Sequence, residues 1–133
     1  MKRKLFSIFV IGLVWSCKTD NYEWITKEVT ATAYNSLMYQ TSAQPDIAAF
    51  GDSLKPGMKC IAVSRDLLAL GLKHNTHVKI EGLRDIYLVK DKMNKRWTNR
   101  IDIYMGKDVE AAKAWGRQKI KIQYRIKIKD TIK

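Results

Sequence analysis

The chain has 133 residues, of which 25 are Lys or Arg and 13 are Asp or Glu, giving a formal net charge of +12 at pH 7. This length predicts a single domain, and the basic surplus favours an anionic partner, although a basic surface also serves solubility alone. Two cysteines, with no C-x-x-C pair and no cluster of His and Cys, give no sign of a metal site.

The N-terminus has the pattern of an export signal. A basic start leads into an apolar run from Leu5 to Trp15, shorter than the roughly 20 residues of a membrane span but typical of a signal peptide. The run ends in "VWSC", which resembles the lipobox of bacterial lipoproteins and predicts lipidation of Cys17. An ordinary signal peptide with an incidental Cys is the alternative. We therefore expect a signal peptide over 1–16 and an exported protein held to the cell envelope by lipid.

The rest of the chain is predicted to be a short tether over 17–26 and one domain over 27–133. Alternation of apolar and polar residues predicts strands from Lys27 to Tyr34, at 59–63, and within 72–82, 83–93, 100–105 and 118–129. The long loop 35–57 has room for one short strand near 47–50. A short helical piece is expected before Gly71, and a clear helix runs from an N-cap at Asp108 to a stop at Gly116. The pattern predicts a mainly β barrel with one or two short helices.

Three acids stand beside core-like strands in this basic chain: Asp66, Asp91 and Asp102. Asp102 lies between Ile101 and Ile103, where an Asp works against strand propensity. Burial makes a carboxylate take up a proton, and a second carboxylate on a neighbouring strand would have the same effect. A protonated Asp in a groove is a general acid suited to protonating a glycosidic oxygen. The alternative is that each Asp caps a turn or pairs with a nearby Lys or Arg.

Several motifs follow one another in this order: "VTATAY", "CIAVSRD", "KD", "NRIDIYMG" and "AAKAWGRQKIKI", with eleven positions from Asp91 of "KD" to Asp102 of "NRIDIYMG". Together they resemble the three-aspartate (3D) domain, a six-stranded double-psi β-barrel related to the membrane-bound lytic transglycosylase A family. The resemblance covers about residues 29–126. It departs from the family at residues 92–94 and 97–98, where "KMN" and "WT" replace family glycines, so the groove must be shaped differently.

The resemblance implies a lytic transglycosylase that cleaves between N-acetylmuramic acid and N-acetylglucosamine in peptidoglycan. Asp102 would be the catalytic acid and base, while Asp91 and Asp66 would hold its pKa and orient the sugar. Tyr34, Asn99 and Arg100 are expected substrate contacts. Arg100 shares a strand face with Asp102, so it could instead be an ion-pair partner that lowers the Asp102 pKa.

A second hypothesis is a non-catalytic barrel that binds glycan or another cell-wall partner. The lost glycines and the basic outer face of the last strand favour it. A nucleic-acid-binding barrel is disfavoured by the export signal. The expected partners are peptidoglycan glycan strands and, through the lipid, a membrane. No cofactor or metal is predicted, and the protein is expected to be a monomer.

Overall fold

A computed structural model describes Gly12 and residues 21–36 and 48–128, in which six strands and two short helices follow one another. The strands are β1 (Tyr22–Tyr34), β2 (Cys60–Val63), β3 (His77–Ile80), β4 (Ile86–Lys92), β5 (Arg100–Tyr104) and β6 (Gln118–Lys127). The helices are α1 (Arg65–Ala69), which follows β2, and α2 (Val109–Trp115), which follows β5. The mainly β fold class predicted from the sequence is confirmed.

The six strands close into a barrel in the order β1-β5-β2-β4-β3-β6. The pairs β1–β5 and β2–β4 are parallel, and the other four neighbouring pairs are antiparallel. The chain has two halves, β1 to β3 and β4 to β6. In each half, the first two strands are antiparallel and have a strand of the other half between them: β5 lies between β1 and β2, and β2 lies between β4 and β5. Exchanging β1, β2 and β3 for β4, β5 and β6 reproduces every pairing. These two psi motifs make the fold a double-psi β-barrel, and closure pairs the edges of the sheet.

Alternation along the strands fills the barrel with apolar side chains and leaves polar ones outside. The two short helices and the turn after α1 add Leu67, Leu72 and Trp115 to this packing. The buried residues that the strands contribute to the core are Val29, Ala31, Ile61, Val63, Val78, Ile80, Tyr87, Val89, Ile101, Ile103, Ile120, Ile122 and Tyr124. Asp102, between two of these positions on β5, therefore lies on the outer face of the barrel.

The last strand departs from its predicted pattern at the C-terminal end. Alternation places Ile126 and Ile128 on the same face as Ile122, which is buried. Ile126 only packs against the edge of the core, and Ile128 is 45% exposed. The strand extends past the end of the barrel core, so its apolar pattern outlasts the partners that could bury it.

The first strand begins earlier than the sequence predicts. β1 starts at Tyr22 and pairs with β6 from Tyr22 to Ala31, so residues 22–26 of the predicted tether belong to the barrel. Their mixed polar pattern does not predict a strand, because this segment is stabilised by pairing with β6 rather than by alternation of its own residues. Residues 48–50 form a turn instead of the expected short strand. The predicted signal peptide over 1–16 and its Cys17 lie outside the described residues.

Helix α2 forms as its sequence predicts. The Asp108 carboxylate accepts a hydrogen bond of 3.0 Å from the Ala111 N–H and so caps the first turn. Gly116 ends the helix with a positive φ of 64°. In the part of the chain that the structure describes, neither helix has the length and apolar character needed to cross a membrane.

Candidate functional site

A row of four paired residues crosses the outer face of the barrel. Asp91 on β4 pairs with Ala62 on β2, Ala62 pairs with Asp102 on β5, and Asp102 pairs with Thr32 on β1. The predicted approach of Asp91 to Asp102 is only partly right, because β2 lies between their strands. Two strand spacings put their backbones roughly 10 Å apart. The small Ala62 side chain leaves the space between the two carboxyl groups open.

A β-bulge brings Asp91 into this row. Ile61 pairs with Val89 but Ala62 pairs with Asp91, so Lys90 is an extra residue on β4. In a regular strand Asp91 would share the inward face of Val89. The extra residue moves Asp91 to the outer face, beside the position that Asp102 occupies.

Three residues of this row, Asp91, Ala62 and Asp102, form the floor of a shallow groove of about 260 Å³. This volume lies below the roughly 300–1,000 Å³ of enclosed sites for drug-sized ligands, and it suits one unit of a polymer that lies across the surface. The groove is lined by Tyr34, Ala62, Asp91, Lys92, Met93, Asn94, Trp97 and Asp102. Tyr34, Asp91 and Asp102 were predicted from the sequence to belong to the site.

Asp102 is the group in the groove most suited to proton transfer. Burial raises its pKa to about 6 from the ordinary 3.8, against the opposing effects of the Thr32 hydrogen bond and the Arg100 charge, and Asp91 adds to the rise. The Thr32 hydroxyl donates to Asp102 Oδ1 at 3.1 Å. A carboxyl with a pKa near 6 can both give and take a proton near neutral pH.

Arg100 acts on Asp102 through Thr32 rather than as a direct ion pair in this structure. Its Nε and Nη2 groups donate to the Thr32 hydroxyl oxygen at 3.3 and 3.2 Å, and that hydroxyl donates to Asp102. The positive charge lowers the Asp102 pKa but does not outweigh burial. The alternative that the sequence left open, a direct Arg100–Asp102 ion pair, is therefore replaced by a contact through the Thr32 hydroxyl.

Trp97 provides an aromatic wall at one side of the groove. The Arg100 guanidinium lies 3.9 Å from the centroid of its ring, and the Arg96 guanidinium lies 4.8 Å away. Cation–π contacts of this kind hold a ring in place. Trp97 lies in the segment between β4 and β5, so this connection supplies a wall of the groove.

Asp91 holds the loop that follows the undescribed residues 37–47. Its Oδ1 atom accepts hydrogen bonds from the N–H groups of Ala49, at 2.7 Å, and Lys92, at 2.9 Å. Burial raises its pKa, and those two backbone hydrogen bonds oppose the rise. Asp91 therefore shapes the groove, and it adds negative charge beside Asp102.

Asp66 and Asn99 stand apart from the groove lining. Asp66 Oδ2 accepts from the Asn99 N–H at 2.9 Å, and the Asn99 amide group donates to the Glu28 carbonyl at 3.1 Å. Asn99 has a positive φ of 48°, so these contacts fix a tight turn into β5. The Asp66 pKa is lowered: burial raises it, but hydrogen bonds from Ser64 and from backbone N–H groups outweigh that. The structure thus assigns both residues to holding the turn.

Tyr34 stands beside the two acids at the end of β1. Its ring packs tilted against Tyr104, with centroids 5.4 Å apart, and its buried hydroxyl has no hydrogen-bond partner within 21–36 and 48–128. Burial raises its pKa, with smaller contributions from Cys60, Asp91 and Asp102. The hydroxyl is therefore neutral and lies buried beside the groove floor.

Sequence reasoning missed Thr32 and Ala62, and it treated Trp97 only as a departure from the family. Thr32 and Ala62 alternate with buried residues, so both could be assigned to an outer face. Their place beside Asp102 depends on pairing between strands far apart in the sequence.

No family model matches the chain, and no curated protein matches it. Among solved structures, the chain is similar to the crystal structure of apo-expansin from Clavibacter michiganensis, at 18% identity and a TM-score of 0.45. The match covers 82% of this chain and 53% of that one, so this chain spans about half the length of the expansin chain. The barrel architecture rests on the strand pairing described above, and no activity is carried over from this likeness.

Proposed function

We propose that the groove binds a glycan strand of the cell wall and that Asp102 is the group able to act on it. The observation that carries the proposal is a half-buried carboxyl with a pKa near 6 on the floor of an open groove with an aromatic wall. Aromatic side chains beside polar groups suit a sugar ring, which has both apolar faces and hydroxyl edges. The order of sequence motifs supports a peptidoglycan strand as the polymer.

In this proposal Asp102 performs lytic transglycosylase chemistry. Protonated Asp102 gives its proton to the oxygen between N-acetylmuramic acid and N-acetylglucosamine as that bond breaks. The resulting carboxylate then takes the proton of the muramoyl 6-hydroxyl, whose oxygen attacks C1 and closes a 1,6-anhydro ring. One carboxyl serves both steps, so no second catalytic carboxylate is required. The Thr32 hydrogen bond orients the Asp102 carboxyl through the cycle.

A second candidate is glycan binding without cleavage. One described feature favours it: Arg100 lies behind Thr32 and lowers the Asp102 pKa, so a smaller fraction of the carboxyl holds a proton to donate at neutral pH. In this case the Trp97 wall and the groove floor would hold the strand, and Asp102 would accept hydrogen bonds from sugar hydroxyls.

The two candidates are separated by incubating the protein with purified peptidoglycan and analysing soluble products by mass spectrometry. Catalysis predicts 1,6-anhydro muropeptides from the wild type and none from Asp102→Asn, which keeps the shape of the side chain. Asp85→Asn is the matched control, because Asp85 is exposed and makes only a long surface ion pair with Lys59 at 3.6 Å. Its product yield should equal that of the wild type.

Co-sedimentation with insoluble peptidoglycan reports binding alone. We expect Trp97→Ala to weaken it and Trp24→Ala, which removes a tryptophan that contacts Lys79 away from the groove, to leave it unchanged. Binding that depends on Trp97 without any product supports the second candidate. If several peptidoglycans give no product and show no binding that depends on Trp97, both candidate functions are ruled out.

A further inference from the structure

One end of the barrel gathers most of the exposed large apolar side chains. Among the described residues four are the most exposed, and three of them lie here: Tyr22 at 43%, Leu70 at 50% and Ile128 at 45%. The contacts between their segments place them together. The Ile128 N–H donates to the Asn21 carbonyl, and Leu70 lines the same cleft as Ile126 and Lys127. The fourth, Ile86, begins β4 at another place on the surface.

Cationic side chains surround this apolar group. The Arg125 guanidinium lies 4.1 Å from the centroid of the Tyr22 ring, Lys73 lines the cleft beside Leu70, and Lys127 pairs with Tyr22 in the β1–β6 ladder. Two carboxylates also lie near this end: Glu23 pairs with Ile126, and Asp52 contacts His74. We call the surface formed by Tyr22, Leu70, Lys73, Arg125, Lys127 and Ile128 the docking end.

A polar cleft of about 230 Å³ opens into the docking end. It is lined by Tyr22, His74, Asn75, Thr76, His77 and Arg125, and it shares Thr76 and Arg125 with the cleft beside Leu70. Arg125 Nη2 lies 3.1 Å from His77 Nδ1, so in the neutral imidazole Nδ1 accepts and Nε2 carries the proton. His74 is in contact with Asp52, and its ring stacks on Phe50. The Thr76 hydroxyl donates to the Gly71 carbonyl and His74 is bound to Asp52, so the Arg125 guanidinium and the Asn75 amide are the groups suited to the oxygens of a phosphate.

We propose that the docking end binds the surface of a bilayer that contains anionic phospholipid. Lys and Arg near an anionic leaflet each contribute about 1 kcal/mol, and tyrosine is enriched at the boundary of headgroups and acyl chains. Leu70 and Ile128 reach the acyl boundary while the polar cleft accepts a lipid phosphate. The chain before Tyr22, with its apolar run from Leu5 to Trp15, also enters the barrel at this end.

This orientation would set the position of the groove. Thr32, which pairs with Asp102, lies ten positions along β1 from Tyr22. At 3.3 Å per residue, and with the tilt of strands in a barrel, the groove would stand roughly 23–27 Å above the lipid surface. The docking end thus gives the protein a fixed reach, which a flexible tether alone does not provide.

Amide hydrogen exchange of the full chain on vesicles tests the proposal, because it separates docking of the barrel from attachment through the N-terminal segment. The vesicles are phosphatidylcholine with and without about one-quarter phosphatidylglycerol. We expect exchange in segments 70–76 and 124–128 to slow several-fold on the anionic vesicles, but not on pure phosphatidylcholine. Added salt should reverse the effect, since it screens the charges.

The double variant Leu70→Ser/Lys73→Glu should lose this protection while keeping the circular dichroism spectrum and melting temperature of the wild type. Ile86→Ser/Lys107→Glu is the matched control, with the same changes at exposed positions outside the docking end, and it should stay protected. Equal protection on both vesicle types, or an unchanged Leu70→Ser/Lys73→Glu variant, overturns the proposal. Protection without vesicles that grows with protein concentration also overturns it, by assigning this end to contact between copies.

Discussion

At the residue scale, Asp102 faces outward from its strand and is nevertheless partly buried. A carboxylate that faces outward from a strand should be solvated, but burial raises the pKa of this one. Its folded pKa of about 6 against an ordinary 3.8 means that ionisation of the folded protein costs about 3 kcal/mol. The protein tolerates this cost on the groove floor, and the resulting acid is the strongest reason to treat the groove as a site.

This cost predicts a pH-dependent difference between the wild type and Asp102→Asn. Because the folded pKa is raised, the folded state binds more protons than the unfolded state between about pH 4 and pH 6, so the wild type loses stability as pH rises through that window. We compare the free energy of unfolding of Asp102→Asn with that of the wild type at each pH. The difference, variant minus wild type, should be about 2–3 kcal/mol larger at pH 7 than at pH 3.5. Urea denaturation at both pH values measures the difference. A constant difference would show that Asp102 ionises in the fold as it does in water.

Thr32 offers a second test at this scale. Thr32→Val keeps the shape of the side chain but removes the donor to Asp102 and the acceptor of Arg100. A hydrogen bond that stabilises the carboxylate is lost, so the Asp102 pKa should rise above 6. Carbon NMR titration of the Asp102 carboxyl measures it, with Thr30→Val, one row away on β1, as the control. A fall in the pKa would mean that the freed Arg100 charge pairs with Asp102 directly.

At the scale of elements, the sequence predicted the strands and helices better than it predicted the site. Alternation identified the strands, and the Asp108 cap and Gly116 stop identified α2. The bulge at Lys90 could not be found this way, because an extra residue in a strand leaves the amino-acid pattern of Tyr87, Val89 and Asp91 regular. That one residue decides whether Asp91 faces the core or the groove.

The last strand supplies a prediction that separates pattern from burial. Ile122 and Ile128 occupy equivalent positions in the alternation, but Ile122 is 1% exposed and Ile128 is 45% exposed. Ile122→Ala should lower the free energy of unfolding by about 2–5 kcal/mol, since it leaves a cavity in the core. Ile128→Ala should change it by less than about 0.5 kcal/mol. Chemical denaturation of the two variants checks this, and equal effects would contradict the placement of Ile128.

At the scale of the whole molecule, closure of the barrel depends on the two ends of the described chain. β1 and β6 pair over ten positions, from Tyr22 with Lys127 to Ala31 with Gln118. Each of the two psi motifs also needs a strand from the other half between its own strands, so neither half can form its pairs alone. The fold should therefore behave as one cooperative unit.

This topology predicts slow folding for a chain of this size. Contacts between residues near 22–31 and 118–127 must close loops of almost the whole chain before burial of the core repays the entropy. Stopped-flow refolding should show relaxation in milliseconds to seconds rather than microseconds. A microsecond phase that recovers the full native signal would mean that local contacts dominate.

The sequence by itself determined the strands, the capped helix, the mainly β class and the unusual position of Asp102, because these depend on periodicity and on local chemistry. The tertiary structure alone decided which residues share the groove. It placed β2 between the two acids, brought Thr32 and Ala62 into their row, and removed Asp66 and Asn99 to a supporting turn. Pairing between distant strands is a global property of the closed barrel, and a one-residue shift in register moves a side chain to the opposite face.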